Sequence, residues 1–88
     1  MYYNIMEAAA LRDYAVYLKF ADGTEGVVRL DNIVGKGEVF APLKDKRFFR
    51  KLRIEEGWKT ISWPNGADLS PEVLYDKVKQ AQSSVAVY

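Results

Sequence analysis

Two of the side chains that most often carry chemistry are missing here: the 88-residue chain has no cysteine and no histidine. Thiol nucleophiles, disulfides and thiolate metal ligands are therefore absent, and so is the imidazole that serves as general base and pH switch near neutrality. Carboxylates, amines and phenols remain. The adjacent pair Glu55–Glu56 falls in a stretch that reads as extended, where neighbouring side chains point to opposite faces and cannot share a proton. Lys36 sits between Gly35 and Gly37, but the Gly-x-x-x-x-Gly-Lys-Ser/Thr spacing of a phosphate loop is absent. Asp22, next to Gly23, reads as a turn residue rather than a catalytic acid. No catalytic, cofactor-binding or metal-binding residue is assigned, and the chain is not expected to be an enzyme.

Contact chemistry is better represented. Lys44, Lys46, Arg47, Arg50, Lys51 and Arg53 fall within ten residues, although the net charge of the whole chain is only +1. On a helix Lys46, Arg50 and Arg53 would share one face, and Arg47 and Lys51 the adjacent one. Such a face could meet phosphates or an acidic partner; its ordinary alternative is a solvated surface balanced by Glu55 and Glu56. Trp58 sits at the tip of an expected hairpin, and Tyr17 lies on the strand face opposite an apolar stripe. Exposed aromatics of this kind mark binding surfaces. In Ile61-Ser-Trp-Pro-Asn-Gly-Ala-Asp-Leu69 every residue except Asp68 has a turn, strand or cap role. The candidate partner-contact residues are thus Lys46, Arg47, Arg50, Lys51, Arg53, Tyr17, Trp58 and Asp68.

The elements that must position these residues can be read from spacing. Tyr14, Val16, Leu18 and Phe20 alternate with Ala15, Tyr17 and Lys19; Gly26, Val28 and Leu30 alternate with Glu25, Val27 and Arg29. A two-residue loop would oppose Val16 with Arg29. A three-residue loop of Ala21, Asp22 and Gly23 opposes Val16 with Val28 and Tyr14 with Leu30, so it is the register that keeps one face apolar. It predicts a type I turn with Gly23 in the left-handed region. An additional strand is expected over about 3–9. Residues 31–43 read as a connector. Asp45 is a natural N-cap for a short helix over 46–52, with Phe48 and Leu52 as its core anchors and Phe49 beside them. A second hairpin pairs Ile54 with Ile61 and Leu52 with Trp63, and puts Gly57-Trp58 in a type II′ turn. Thr60 and Ser62 would face away from Ile61 and Trp63.

Pro64 then holds Trp63 extended, and Trp63-Pro64-Asn65-Gly66 fits a type I or II turn. Ser70 and Pro71 open a helix expected over 71–81, with Leu69 and Leu74 at staple spacing. Its buried face would be Leu74, Val78 and Ala81, with Tyr75 at the edge. Residues 83–88 form a tail whose β-prone end, Val85-Ala86-Val87-Tyr88, would either fray or add to a neighbouring sheet.

Three stretches carry a resemblance: Phe20-Ala-Asp-Gly-Thr-Glu-Gly-Val-Val-Arg-Leu30, Gly37-Glu-Val-Phe-Ala-Pro-Leu-Lys-Asp-Lys-Arg-Phe-Phe49, and Thr60-Ile-Ser-Trp-Pro-Asn-Gly-Ala-Asp-Leu-Ser-Pro-Glu-Val-Leu-Tyr75. Together, over about 12–78, they resemble the bacterial domain-of-unknown-function family DUF2442. The resemblance implies a small α+β fold similar to the N-terminal domain of a Nitrosomonas protein. It also implies a place in two-gene modules that look like toxin–antitoxin pairs. No catalytic residues come with it. Some members precede a helix-turn-helix domain; none follows the matching region here, so direct DNA binding is not expected.

The expected architecture is a single α+β domain over 1–82: two layers, a mostly antiparallel sheet of four to five strands, and two helices. Its core should hold Val16, Leu18, Phe20, Val28, Leu30, Phe48, Leu52, Ile54, Ile61, Trp63, Leu74 and Val78. No apolar run reaches the length of a membrane span and no signal peptide is evident, so the protein is expected in the cytoplasm without cofactor or membrane partner. The expected partner is a protein, such as a toxin-like product of a neighbouring gene, which this domain would bind and mask. Nucleic-acid binding through 44–53 and a homodimer are the alternatives.

Overall fold

The computed structural model describes residues 3–34, 36–57 and 59–86, the side chains of 82–86 excepted. Its first half is an antiparallel meander of β1 (Ile5–Ala10), β2 (Ala15–Phe20) and β3 (Glu25–Arg29), in that order across the sheet. The β2–β3 register is the expected one, with Val16 opposite Val28. Gly23 N–H donates to Phe20 C=O at 2.9 Å, and Gly23 has φ +91°, the left-handed conformation that only glycine adopts without strain. Val16, Leu18, Phe20, Val28 and Leu30 are all buried on one face. β1 falls where the third strand was expected. Ala8 and Ala10 oppose Leu18 and Val16, and a bulge between Ile5 and Glu7 accommodates Met6.

β1 turns into β2 through a single 3-10 turn, Arg12–Tyr14. Asp13 (φ 56°) and Tyr14 (φ 63°) are both left-handed, a costly conformation for residues with a Cβ. Local bonds hold it: Leu11 N–H donates to Ala15 C=O at 2.8 Å and Leu30 N–H to Tyr14 C=O at 2.9 Å.

The expected connector is partly helical. It leads through α1 (Gly37–Phe40) into a 3-10 turn, Ala41–Lys44, which buries Leu43. α2 (Lys46–Phe49) is capped as expected: the Asp45 carboxylate accepts from Arg47 N–H at 2.9 Å, an interaction worth about 1 kcal/mol. However, α2 is a single turn that ends at Phe49, short of 52. The buried anchor is Phe49, and Phe48 and Leu52 are only half-buried. Phe49 wins because Trp63 Nε1–H donates to its carbonyl at 2.9 Å and the two rings pack at 5.7 Å.

The second ribbon, β4 (Arg53–Ile54) and β5 (Ile61–Ser62), has the expected pairing of Ile54 with Ile61. Ile54 is half-buried, not part of the closed core. The loop departs from expectation. Lys59 N–H donates to Glu55 C=O at 2.7 Å and Glu55 N–H to Thr60 C=O at 2.7 Å. Lys59 is left-handed (φ 54°) and Gly57 is not, so a type II′ turn at Gly57 is ruled out. Ile5 N–H donates to Lys59 C=O at 2.9 Å, tying β1 to this ribbon. The strands thus divide between a three-stranded sheet and a two-stranded ribbon.

After β5 the chain repeats the geometry of the first turn. Gly66 N–H donates to Trp63 C=O and Trp63 N–H to Ala67 C=O, both at 2.9 Å, with Gly66 at φ +93°. Asp68 then bridges back to Ser62. The reverse side of β5 is covered, so Thr60 and Ser62 are buried. Thr60 Oγ1–H donates to Leu69 C=O, which satisfies the hydroxyl.

α3 (Pro71–Ala86) runs past its expected end, so Val85 and Ala86 are helical rather than extended; Val87 and Tyr88 lie outside the described residues. Leu74 and Val78 are buried, each stabilising the fold by about 2 kcal/mol, whereas Ala81 is exposed. α3 packs on β3 so closely that a Cβ at Gly26 would lie 3.0 Å from Val78 Cγ1. Glycine is therefore required by the approach of the helix, not by the backbone angle. Ile5, Leu43, Phe49 and Ala67 complete the core beyond the residues the periodicity selects.

Candidate functional site

Because α3 meets the sheet on the face of Gly26 and Val28, the other face has no helix packed over it among the described residues. Its middle row is Ala9, Tyr17 and Val27, in register across β1, β2 and β3. Val27 is 46% exposed, and Met6 and Leu11 along β1 and just beyond it are 57% and 41% exposed. Tyr17 lies in this row, as its place in the alternation implied. Its hydroxyl donates to Glu25 Oε1 at 2.8 Å, and that bond to a carboxylate raises the phenol above its usual range. One row further along, Lys19 and Glu7 approach to 3.8 Å across the strands. The face is therefore an apolar strip bordered by charges.

The basic residues do not form the helix face expected of them. α2 is too short to align Arg53 with Lys46 and Arg50, and Arg53 belongs to β4. Lys46 Nζ lies 3.6 Å from the Asp13 carboxylate and 5.8 Å from the centre of the Tyr14 ring. Arg47 pairs at 3.8 Å with Asp45, the residue that caps its own helix. Arg50 and Lys51 are exposed. Lys46 and Arg50 border a small cavity of about 90 Å³ together with Arg12, Asp13, Tyr14 and Phe49. Arg12 was missed from sequence. It lies far from 44–53 along the chain and is delivered there by the left-handed pair Asp13–Tyr14.

Asp68 is exposed on the short extension beside β5, and nothing places it with Tyr17 or the cations. Trp58 lies outside the described residues. The seven described candidates are therefore not one site: Tyr17 belongs to the bare sheet face, the cations lie on and around α2, and Asp68 stands apart. Among the described residues no group of three or more carboxylates converges to hold a metal ion.

Tyr75, noted in the sequence only as the edge of a helix face, fastens α3 to the sheet. Its ring makes edge contacts at 5.0 Å with both Tyr3 and Phe20, and its hydroxyl donates to Asp22 Oδ2 at 2.6 Å. Asp22 Oδ1 also accepts from Thr24 N–H at 2.9 Å. The Tyr75 bond, then the Thr24 bond, hold the Asp22 carboxyl below its usual range. Asp22 thus ties the turn to the helix.

A family model described as Protein of unknown function (DUF2442) matches residues 5–80, from the first residue of β1 into α3. The chain belongs to the DUF2442 family. The bare face, the cations around α2 and the Asp22–Tyr75 tie all lie within the stretch that the family model covers. No significant match was found among curated proteins or solved structures. Among the described residues no helix is long and apolar enough to cross a membrane.

Proposed function

We propose that this domain is a small non-catalytic protein-interaction module, regulatory or antitoxin-like, that binds a protein partner in the cytoplasm and masks it by steric occlusion. The observation that carries the reading is the row of Ala9, Tyr17 and Val27, with Val27 well exposed, on the side of the sheet away from α3. On this reading the fold is two-layered, with helices on one side of the sheet and the partner on the other. Flat sheet faces with an aromatic centre and a charged rim suit a protein surface better than a small molecule. Arg50, Lys51 and Arg53 would steer an acidic partner towards the domain.

The test is a pull-down with the tagged domain from lysate of its native host, with and without nuclease, read by mass spectrometry. One protein recovered in equal amount under both conditions, and lost with Ala9→Glu, is the expected result. Capture that disappears on nuclease treatment overturns the reading in favour of nucleic-acid binding through 44–53. That outcome would also show the steep salt dependence of phosphate contacts.

A further inference from the structure

The outer edge of β3 has the geometry of a docking rail. In an antiparallel pair, alternate residues direct their N–H and C=O towards the neighbouring strand. Phe20 N–H donates to Thr24 C=O and Leu30 N–H to Tyr14 C=O, so Gly26 and Val28 face β2 and the backbone groups of Val27 and Arg29 point outward. β3 is the last strand of its sheet, and among the described residues no backbone group bonds to Val27 or Arg29 from that side. Natural edges are usually blunted by proline, a bulge or an inward charge. The middle of this one carries none of these, only Val27 and Val28.

Alongside the edge runs a groove of about 290 Å³ between β3 and α3, lined by Val27, Val28, Arg29, Lys77, Gln80 and Ala81. Lys77 is half-buried in its wall and makes no ion pair among the described residues. Arg29 also lines it, with its guanidinium 3.5 Å from the Asp31 carboxylate. We propose that an extended segment of a protein partner, carrying acidic side chains, adds as a fourth strand to β3 and lies in this groove. Its backbone would exchange hydrogen bonds with Val27 and Arg29. Alternate side chains would turn towards α3 and bring a carboxylate to the Lys77 ammonium.

A second copy of the chain is the poorer occupant. An identical β3 edge would turn Gly26 and Val28 towards α3, so it brings no carboxylate to Lys77. The inference rests on the protein-interaction reading above and adds the place and chemistry of the partner's segment.

The test uses the isotope-labelled full chain and two acetylated, amidated seven-residue peptides, one alternating Val and Glu, the other alternating Val and Lys. Amide shifts and slowed hydrogen exchange at Val27 and Arg29, but not at Val28, are expected with the Glu peptide. Val27→Pro removes an outward N–H without breaking a bond to β2 and should weaken binding about tenfold or more. Lys77→Glu, which leaves the edge intact, should reverse the preference between the two peptides. Absence of shifts at millimolar Glu peptide overturns the proposal, as does equal binding of both peptides or self-association of the chain through β3. Shifts confined to Ala9 and Tyr17 would overturn the edge proposal and leave the masking reading standing; loss of the nuclease-resistant capture would remove that reading instead.

Discussion

The turn at Ala21-Asp22-Gly23 and the turn at Pro64-Asn65-Gly66 are built alike. Each closes with the residue before the loop accepting from the glycine N–H, and each glycine is left-handed, at +91° and +93°. In each the central side chain accepts from the backbone N–H two residues on, Asp22 from Thr24 and Asn65 from Ala67. They differ in what the other half of that side chain meets. Asp22 accepts from the Tyr75 hydroxyl on α3, while Asn65 Nδ2–H donates at 2.8 Å to Val39 C=O on α1. A hydroxyl can give a proton and a carbonyl cannot. The choice between Asp and Asn is therefore set by the partner, although either residue would make the turn.

The sharpest way to break the comparison is to exchange the two residues. Asn65→Asp loses its donor and sets a carboxylate against the Val39 carbonyl; a loss of about 1–3 kcal/mol is expected in urea unfolding. Asp22→Asn should cost clearly less, because the Tyr75 hydroxyl can rotate to accept from the new amide. Equal losses would show that the partner does not decide. Next in size are Gly23→Ala and Gly66→Ala, each expected to cost about 1–2 kcal/mol. Neither added Cβ meets an atom within 4 Å, so the cost is backbone strain alone and should be the same in both turns. A large excess at one would reveal a packing constraint that the other lacks.

The smallest effect is the dependence on pH. The carboxyl of Asp22 is lowered in the folded state, so its contribution is fully present above the unfolded value, near 3.8, and fades as pH falls through the lower folded value. The difference in melting temperature between wild type and Asp22→Asn should be constant at neutral pH and shrink below about pH 4. Asn65 does not titrate, so Asn65→Ala should show no such convergence.

Much of this was legible in the chain because it rests on local rules. The β2–β3 register follows from keeping Val16, Val28 and Leu30 on one face, and the Asp45 cap from the residue itself. One turn of helix contains too little periodicity to choose between Phe48 and Phe49; that choice comes from the Trp63 indole, which lies 14 residues away. α1 was hidden because it opens on Gly37 at φ +78° and reads as a connector. Of the candidate site, the outward face of Tyr17 was readable from alternation. The grouping of Arg12 with Lys46 was not, because it depends on two left-handed residues that carry no sequence signal. The exposed edge of β3 was also hidden, since an edge is defined by which strands pair elsewhere.

The bond from Tyr75 to Asp22 joins residues 53 positions apart. A ribosome adds roughly 5–20 residues per second, so the β2–β3 hairpin exists for some seconds before its tyrosine latch has been synthesised. During that interval Leu18, Phe20 and Val28 have no helix to cover them. The latch therefore closes over an apolar face that its own sequence order leaves open first.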